Sequence, residues 1–482
     1  MLSTDLAVGT TVHLSSWGMD CVVERRIGGG GQGAVYAVRV PDDGNRQLAL
    51  KWYTGRSAVA YQEEVLRSLI DRGPPTAKGS PDQRFVWPLD MARVPGSSLF
   101  GYVMRLMPPD YLALIDCVTN EVPTTFRSRV TAGLQLADSF DNLHNDGLCY
   151  RDVSLGNVAL MADNGHIHIL DNDNVGFNGT PSLSVAGTLG FMAPEVQRRE
   201  AYPSTETDWH SLAVLLFYLL VRHHPLIGKA ETGFTELDTQ AYQQLFANHP
   251  VFIFDPDDRS NEPVPGAHDN ALAIWPLLPT STRELFTQAF TVGLRDPAHS
   301  RVTDSAWRVE FARLLDSIYP CPECGAEHFD DPTGDGTAAP VCWRCNRPLV
   351  RPPLLDTGRD RVALFADARL YPHHLRRPLD GRIYDYSAPV AVVTRHPRDP
   401  NVLGLTNLTT LPWAARTAKG KEVVVPPERS VIITPGLRVD LGGVDAIVDD
   451  PAEEPAPAAP KARTSARKAA PKTVASRPLR RG

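Results

Sequence analysis

Two cysteine pairs, Cys321-x-x-Cys324 and Cys342-x-x-Cys345, are separated by 17 residues. Two such knuckles at that distance can place four thiolates tetrahedrally on Zn²⁺. The residues between them are polar and Gly-rich, as a loop between knuckles should be, whereas a redox dithiol would need only one pair. Far upstream lies Gly28-x-Gly30-x-x-Gly33-x-Val35. Without side chains the backbone can approach a phosphate chain and aim its amides at it. Glycine-rich turns are common, so this stretch says little alone. Leu48-Ala49-Leu50-Lys51 comes next. A Lys ending an apolar strand sits at the edge of a buried surface, where its ammonium can hold nucleotide phosphates while Ala49 and Val35 cover the base. The helical pattern at 61–70 offers Glu63 and Glu64 as partners to position Lys51. Glu64 is preferred, because Val65, Leu66 and Leu69 then form the inward face beside it.

The elements around these residues suggest an α+β chain in several parts. Residues 10–55 are rich in Val, Ile, Tyr and Gly at strand-like spacing, a helix follows at 61–70, and more strands around 84–106. From about 127 the pattern turns helical, is interrupted by the short strands VALM and HIHIL, and stays mostly helical to about 317. A β-rich lobe followed by a helical lobe predicts a two-lobed arrangement. Residues 353–450 are again strand-like, with turn signals at Asp380-Gly381, Pro435-Gly436 and Gly442-Gly443. The segment 451–482 is Ala, Pro, Lys and Arg with almost no large apolar side chain, which predicts disorder.

Composition narrows the function classes. Hydrophobic residues make up 42% of the 482 and charged residues 22%, ordinary for a soluble protein. The net charge is −7, yet the last 32 residues carry eight Lys or Arg against two Glu, so the body is strongly acidic. Nucleic-acid binding by bulk electrostatics is therefore expected of the tail alone, through Lys461, Arg463, Arg467, Lys468, Lys472, Arg480 and Arg481. A solubilising linker is the favoured reading of that tail. The longest apolar run, 212–221, is too short to span a bilayer. The N-terminus shows no basic region followed by an apolar run, and the cysteine pattern suits a reducing compartment, so a cytoplasmic location without membrane attachment is expected.

The stretches YRDVSLGN (150–157) and HILDND (168–173) connect these signals. Here the chain resembles the protein kinase superfamily, whose catalytic loop reads H-R-D-x-x-x-x-N and whose metal motif reads D-F-G. The resemblance implies that Asp152 is the base for the substrate hydroxyl and that Asn157 and Asp171 hold Mg²⁺ (or Mn²⁺). It implies ATP at Gly28, Gly30, Gly33, Val35, Ala49, Lys51, Glu64 and Met107. GTLGFMAPE (187–195) matches the end of the activation segment. Asp208 would anchor the catalytic loop's backbone, and Arg301 would pair with Glu195. Within the segment, Thr180, Ser182, Ser184 and Thr188 are candidate phosphorylation or loop hydroxyls, with Arg151 placed to grip a phosphate; Thr188 would alternatively bond the catalytic Asp. Tyr150 replaces the usual His, Asn172-Asp173 replaces Phe-Gly, and Ser154 replaces a Lys that contacts the transferred phosphoryl. Loss of such a contact is expected to cost about 2–4 kcal/mol.

The expected layout is a kinase domain at 10–318 (N-lobe about 10–107, C-lobe about 108–318), a zinc ribbon at 319–350, an all-β domain at 353–450 and the basic tail at 451–482. The Gly-rich loop, the R-D-x-S-x-G-N loop, the D-x-D motif and the cysteine module are similar to a bacterial branch of kinases found with von Willebrand A proteins and PP2C-type phosphatases in tellurium-resistance-type stress clusters. That similarity implies a Ser/Thr kinase acting on proteins, possible autophosphorylation, and those two proteins as partners. A pseudokinase scaffold is the alternative, and a nucleic-acid-associated regulator a weaker third. Structural or docking roles are favoured for the ribbon. Residues 404–448 are similar to the latter half of a forkhead-associated sandwich, without its recognisable phosphothreonine-reading residues, so a generic docking sandwich is preferred.

Overall fold

Six strands close the first lobe into an antiparallel barrel: β1 (Thr11–Leu14), β2 (Met19–Gly29), β3 (Gly33–Val40), β4 (Arg46–Tyr53), β5 (Pro88–Arg93) and β6 (Phe100–Arg105). Their order is β1-β2-β3-β4-β6-β5, with β1 returning to β5. The computed structural model describes residues 5–449 apart from 56, 120, 181–186, 332–340 and 377–383. Alternation along β4 sorts its side chains. Leu48, Leu50 and Trp52 enter the barrel interior with Val12, Val38 and Val103. Ala49 and Tyr53 face the other way, into a second cluster with Leu66 and Met104. Lys51 belongs to this outer face by the same alternation, and its ladder neighbours are Val35 on β3 and Tyr102 on β6. The turn from β2 to β3 demands glycine at one point: a Cβ on Gly33 would stand 2.2 Å from the Trp52 carbonyl oxygen.

Helix α1 (Ala60–Arg72) lies against the outer face through Gln62, Leu66 and Leu69, spaced at one-turn intervals. The second lobe is built on α2 (Phe126–Asn145), the hairpin β7 (Val158–Leu160) and β8 (Ile167–Ile169), α3 (Thr205–Val221), α4 (Thr280–Phe290) and α5 (Asp304–Ser317). Capping boxes start two of these helices, Thr125 with Ser128 on α2 and Ser204 with Thr207 on α3. Helix α3 is buried on nearly every side, which explains its continuous apolar run. Among the described residues no helix is long and apolar enough to cross a membrane.

Behind the second lobe, β9 (Ile318–Pro320) continues directly from α5 and pairs with β10 (Glu327–Phe329). Then come β11 (Leu354–Asp356), β12 (Arg361–Ala363), β13 (Arg369–Leu370), β14 (Ala391–His396), β15 (Asp399–Asn407), β16 (Trp413–Arg416), β17 (Glu422–Val425), β18 (Ser430–Ile432), β19 (Arg438–Asp440) and β20 (Asp445–Val448). They form a six-stranded sheet, β12-β11-β20-β19-β16-β17, and a four-stranded one, β13-β14-β15-β18. Both sheets contribute to one apolar core, including Leu355, Val393, Leu405, Trp413 and Val439. The sandwich touches the helical lobe: His374 Nε2 is 3.1 Å from Asp316 Oδ2 on α5, and Tyr384 and Tyr386 pack against that lobe's core. The 451–482 tail lies outside the described residues.

Helices α2 and α5 cross closely at Gly133, where a Cβ would stand 1.9 Å from Phe311 Cε1. Gly133→Ala is expected to destabilise the chain by about 1–3 kcal/mol through overpacking. Gly233→Ala, where a Cβ meets nothing within 4 Å, is the control that should leave the urea midpoint unchanged.

Candidate active site

The centre of the cleft is Lys51, 4% exposed. Its Nζ hydrogen-bonds both carboxylate oxygens of Asp173 at 2.9 Å and lies 3.5 Å from Asp171 Oδ1. Asp173 is buried with its charge fully engaged: Tyr53 Oη donates to it at 2.5 Å and Tyr102 Oη at 2.9 Å. Burial by itself would raise the Asp173 carboxyl's pKa, but Lys51 and the two phenols hold it below the ordinary value. Asp171 is raised, chiefly by burial with Asp173 adding to it, against the pull of Lys51. It also holds a left-handed backbone, φ 48°. A partly exposed carboxylate that shares the Lys51 ammonium with Asp173, near the buried Asn157 carboxamide, is chemically suited to a hard divalent cation.

Glu64, expected to position Lys51, is exposed instead. The buried stripe of α1 runs through Gln62, Leu66 and Leu69. At 3.6 residues per turn Glu64 stands about 200° from Gln62, on the solvent side. Gln62 takes the inward position, and its Nε2 donates to the Asp173 carbonyl at 3.1 Å and to Tyr53 Oη at 3.3 Å. Glu63 pairs with Arg67 and Arg93. The partner of Lys51 is thus carried by the metal loop, not the helix. Nothing in the helical pattern pointed to it; the signals were the second Asp of Asp171-Asn172-Asp173 and a Tyr two residues after Lys51 on the same strand face.

The loop between α2 and β7 is held from below. Asp208 on α3 accepts from the Tyr150 amide and, at 3.0 Å, from the Arg151 amide. Asn157 Nδ2 donates to the Asp152 carbonyl at 2.8 Å and to its Oδ2 at 3.2 Å. Thr188 Oγ1 donates to Asp152 Oδ1 at 2.6 Å. Tyr150 packs edge-on against Phe140 and its hydroxyl donates to the Leu170 carbonyl, tying this loop to the metal loop. Asn172 is 0% exposed, and its Nδ2 donates to the Val86 and Ile169 carbonyls at 3.0 and 2.8 Å. A polar anchor therefore replaces the apolar one there. Ser154 is buried and brings no charge to the cleft.

Asp152 on a fixed loop, two cation-suited side chains flanking one hairpin, and a Lys under a glycine-rich turn share this cleft. Residues 21–265 match the protein kinase domain family. The chain belongs to the protein kinase family. It is 28% identical over 241 residues to G protein-coupled receptor kinase 2 of Caenorhabditis elegans, covering 47% of this chain and 31% of that protein. It is 33% identical over 149 residues to protein kinase C delta type of mouse, covering 28% of this chain and 21% of the relative. It is 27% identical over 266 residues to ribosomal protein S6 kinase 2 alpha of Xenopus laevis, covering 52% and 35%. The chain spans about a third or less of the length of these curated relatives.

The kinase domain's remaining expected residues fall as follows. Val35 and Ala49 form an apolar slot with Met104, Leu106 and Leu170, suited to a flat base. Met107 is half-buried just past β6. Gly28 lies in β2, and a Cβ on Gly30 meets nothing within 4 Å, so the turn is open at that point. Arg301 Nη1 is 2.7 Å from Glu195 Oε1, both largely buried. Arg151 Nη2 donates to Thr180 Oγ1 at 2.9 Å. Ser182 and Ser184 lie outside the described residues. Away from the cleft, the sulfurs of Cys321 and Cys345 are 3.8 Å apart and those of Cys324 and Cys342 3.6 Å, with all four within 4.8 Å of one another. Tetrahedral zinc thiolates stand about 3.8 Å apart, so the four fit a structural Zn²⁺.

Two predictions follow from this geometry. Asp173→Asn should lower kcat/KM by about 100-fold, while Glu64→Ala leaves it unchanged in a peptide phosphorylation assay. The second concerns His144, buried between Asp208 and Asp304. Burial lowers its proton affinity, but hydrogen bonds to the two carboxylates outweigh that and raise the pKa from 6.5 to about 9. Its folded value exceeds its unfolded one, so the stabilisation is complete below about pH 6.5 and is lost as pH rises through about 9. Urea unfolding at increasing pH should show a loss of about 1–3 kcal/mol over that window, absent in His144→Gln.

Proposed function

We propose that the chain is a Mg²⁺- and ATP-dependent protein serine/threonine kinase. The observation that carries this is the convergence of Lys51, Asp152, Asn157 and Asp171 on one cleft, with the Asp152 loop fixed from Asp208. Mg-ATP, when bound, supplies the transferable γ-phosphoryl group. Asp152 accepts the proton of the attacking hydroxyl, and Thr188 holds one of its oxygens. Asn157 and Asp171 hold the cation. Lys51 grips phosphate oxygens while Asp173 keeps its ammonium in place.

Protein hydroxyls as acceptors are supported by the GTLGFMAPE segment and by the names of the relatives, each a kinase. Autophosphorylation is proposed at Thr180, which Arg151 already reaches. Zn²⁺ is proposed at the four cysteines as a structural clip. Its hairpin is fastened to the kinase lobe, since Glu327 Oε2 accepts from the Arg127 amide at 2.8 Å and Phe329 packs edge-on against Phe126. A cytoplasmic place in bacterial stress signalling, with a PP2C-type phosphatase and a von Willebrand A protein as partners, extends from the motif resemblance.

A pseudokinase scaffold is the second reading, favoured by Ser154 in place of a cation. The two separate in one assay. Wild type incubated with labelled Mg-ATP and a protein extract should incorporate phosphate into Ser and Thr, and Asp152→Asn should reduce that by about 10³-fold. Equal incorporation by both would exclude the kinase reading.

A further inference from the structure

The glycine-rich turn carries one side chain that reaches into the cleft. Gln32 Oε1 accepts a hydrogen bond from Lys51 Nζ at 3.0 Å. Its Nε2 donates to Asn174 Oδ1, next to the metal loop, at 3.2 Å. The backbone beneath it is pinned: the Gln32 carbonyl accepts from the Thr54 amide at 2.9 Å and from Thr54 Oγ1 at 3.3 Å, and Gly33 lies hard against the Trp52 carbonyl. The turn is thus fixed, and the half-buried carboxamide is held only by these two side-chain hydrogen bonds. A neutral amide oxygen on the Lys51 ammonium stands where a phosphate oxygen belongs. The catalytic loop, by contrast, offers no cation at position 154 to meet the transferred group.

We propose that Gln32 is a phosphate-binding residue of this kinase, capping the Lys51 ammonium until nucleotide binds and then contacting the terminal phosphoryl group. The inference rests on the kinase reading above. When phosphate oxygens take over Lys51, the Gln32 oxygen loses its donor. An anionic phosphoryl group can then engage the carboxamide only through its Nε2 hydrogens. A donor there, aimed from the N-lobe, stabilises charge on the transferring group and takes part of the role Ser154 cannot fill. Because the contact is with the terminal group, it distinguishes a triphosphate from a diphosphate.

The test uses binding as well as turnover, on the full chain with Mg²⁺. Affinities for ADP and for a non-hydrolysable ATP analogue are measured by calorimetry for wild type, Gln32→Ala and Gln32→Glu. The inference expects the preference for the triphosphate analogue over ADP to fall about tenfold in Gln32→Ala and further in Gln32→Glu, where a carboxylate repels the phosphate. It expects kcat to fall with it in Gln32→Ala. An unchanged analogue-to-ADP ratio in both variants overturns it, and so does a ratio that rises. Failure of the kinase reading looks different: wild type and Gln32→Ala then differ in nucleotide preference while neither transfers phosphate. If wild type binds neither nucleotide, both ideas fall.

Discussion

A buried ammonium with its counterion on the wrong side of the cleft sets the terms for the whole active centre. Lys51 and Asp173 are both removed from water. Taking two charges out of solvent costs several kcal/mol per ion, and their attraction offsets this only when every remaining hydrogen-bonding site is filled. The barrel fills them. Tyr53 is placed by the alternation of β4 and Tyr102 by its ladder pairing with Lys51, so two strands deliver phenols to one carboxylate. Gln62 closes the arrangement from the helix by bonding the Asp173 carbonyl rather than the Lys. The Lys is therefore held by the same loop that carries Asp171. Rotation of α1 cannot separate Lys51 from its counterion as it would if the helix supplied the carboxylate.

The lower wall of the cleft depends on a second buried charge group. His144 on α2 bridges Asp208 on α3 and Asp304 on α5, and Asp208 in turn receives the amides of Tyr150 and Arg151. Three helices meet through this network, and the loop bearing Asp152 is fixed by it. Networks of this kind are specific when satisfied and costly when broken. Arg151 itself sits at φ 73°, a conformation that persists only because the surrounding bonds over-determine it.

Much of this was legible in the sequence, for identifiable reasons. Asp152, Asn157 and Asp171 lie on one loop-hairpin-loop segment, so their grouping follows from local chain geometry. The two-lobed arrangement follows from a change to a helical hydrophobic period near residue 127. The Lys51 partner is not legible in α1, which offers two adjacent Glu residues while its inward residue is the neutral Gln62. Side-chain spacing within one helix reports its buried face, but it cannot report a carboxylate arriving from 122 residues downstream of the Lys. The rear sandwich was visible as strands and turns, yet its attachment to α5 through His374 and Asp316 joins distant segments and has no local signature.

The central claim is that Lys51 is positioned by Asp173 and not by a helix carboxylate. A crystal structure of the chain with Mg²⁺ and a non-hydrolysable ATP analogue tests it most directly. The account predicts that Lys51 touches the phosphates while keeping its bond to Asp173, with Tyr53 and Tyr102 still on that carboxylate and Glu64 in solvent. A complex in which α1 has turned to bring Glu64 onto Lys51, leaving Asp173 without its cation, would contradict it.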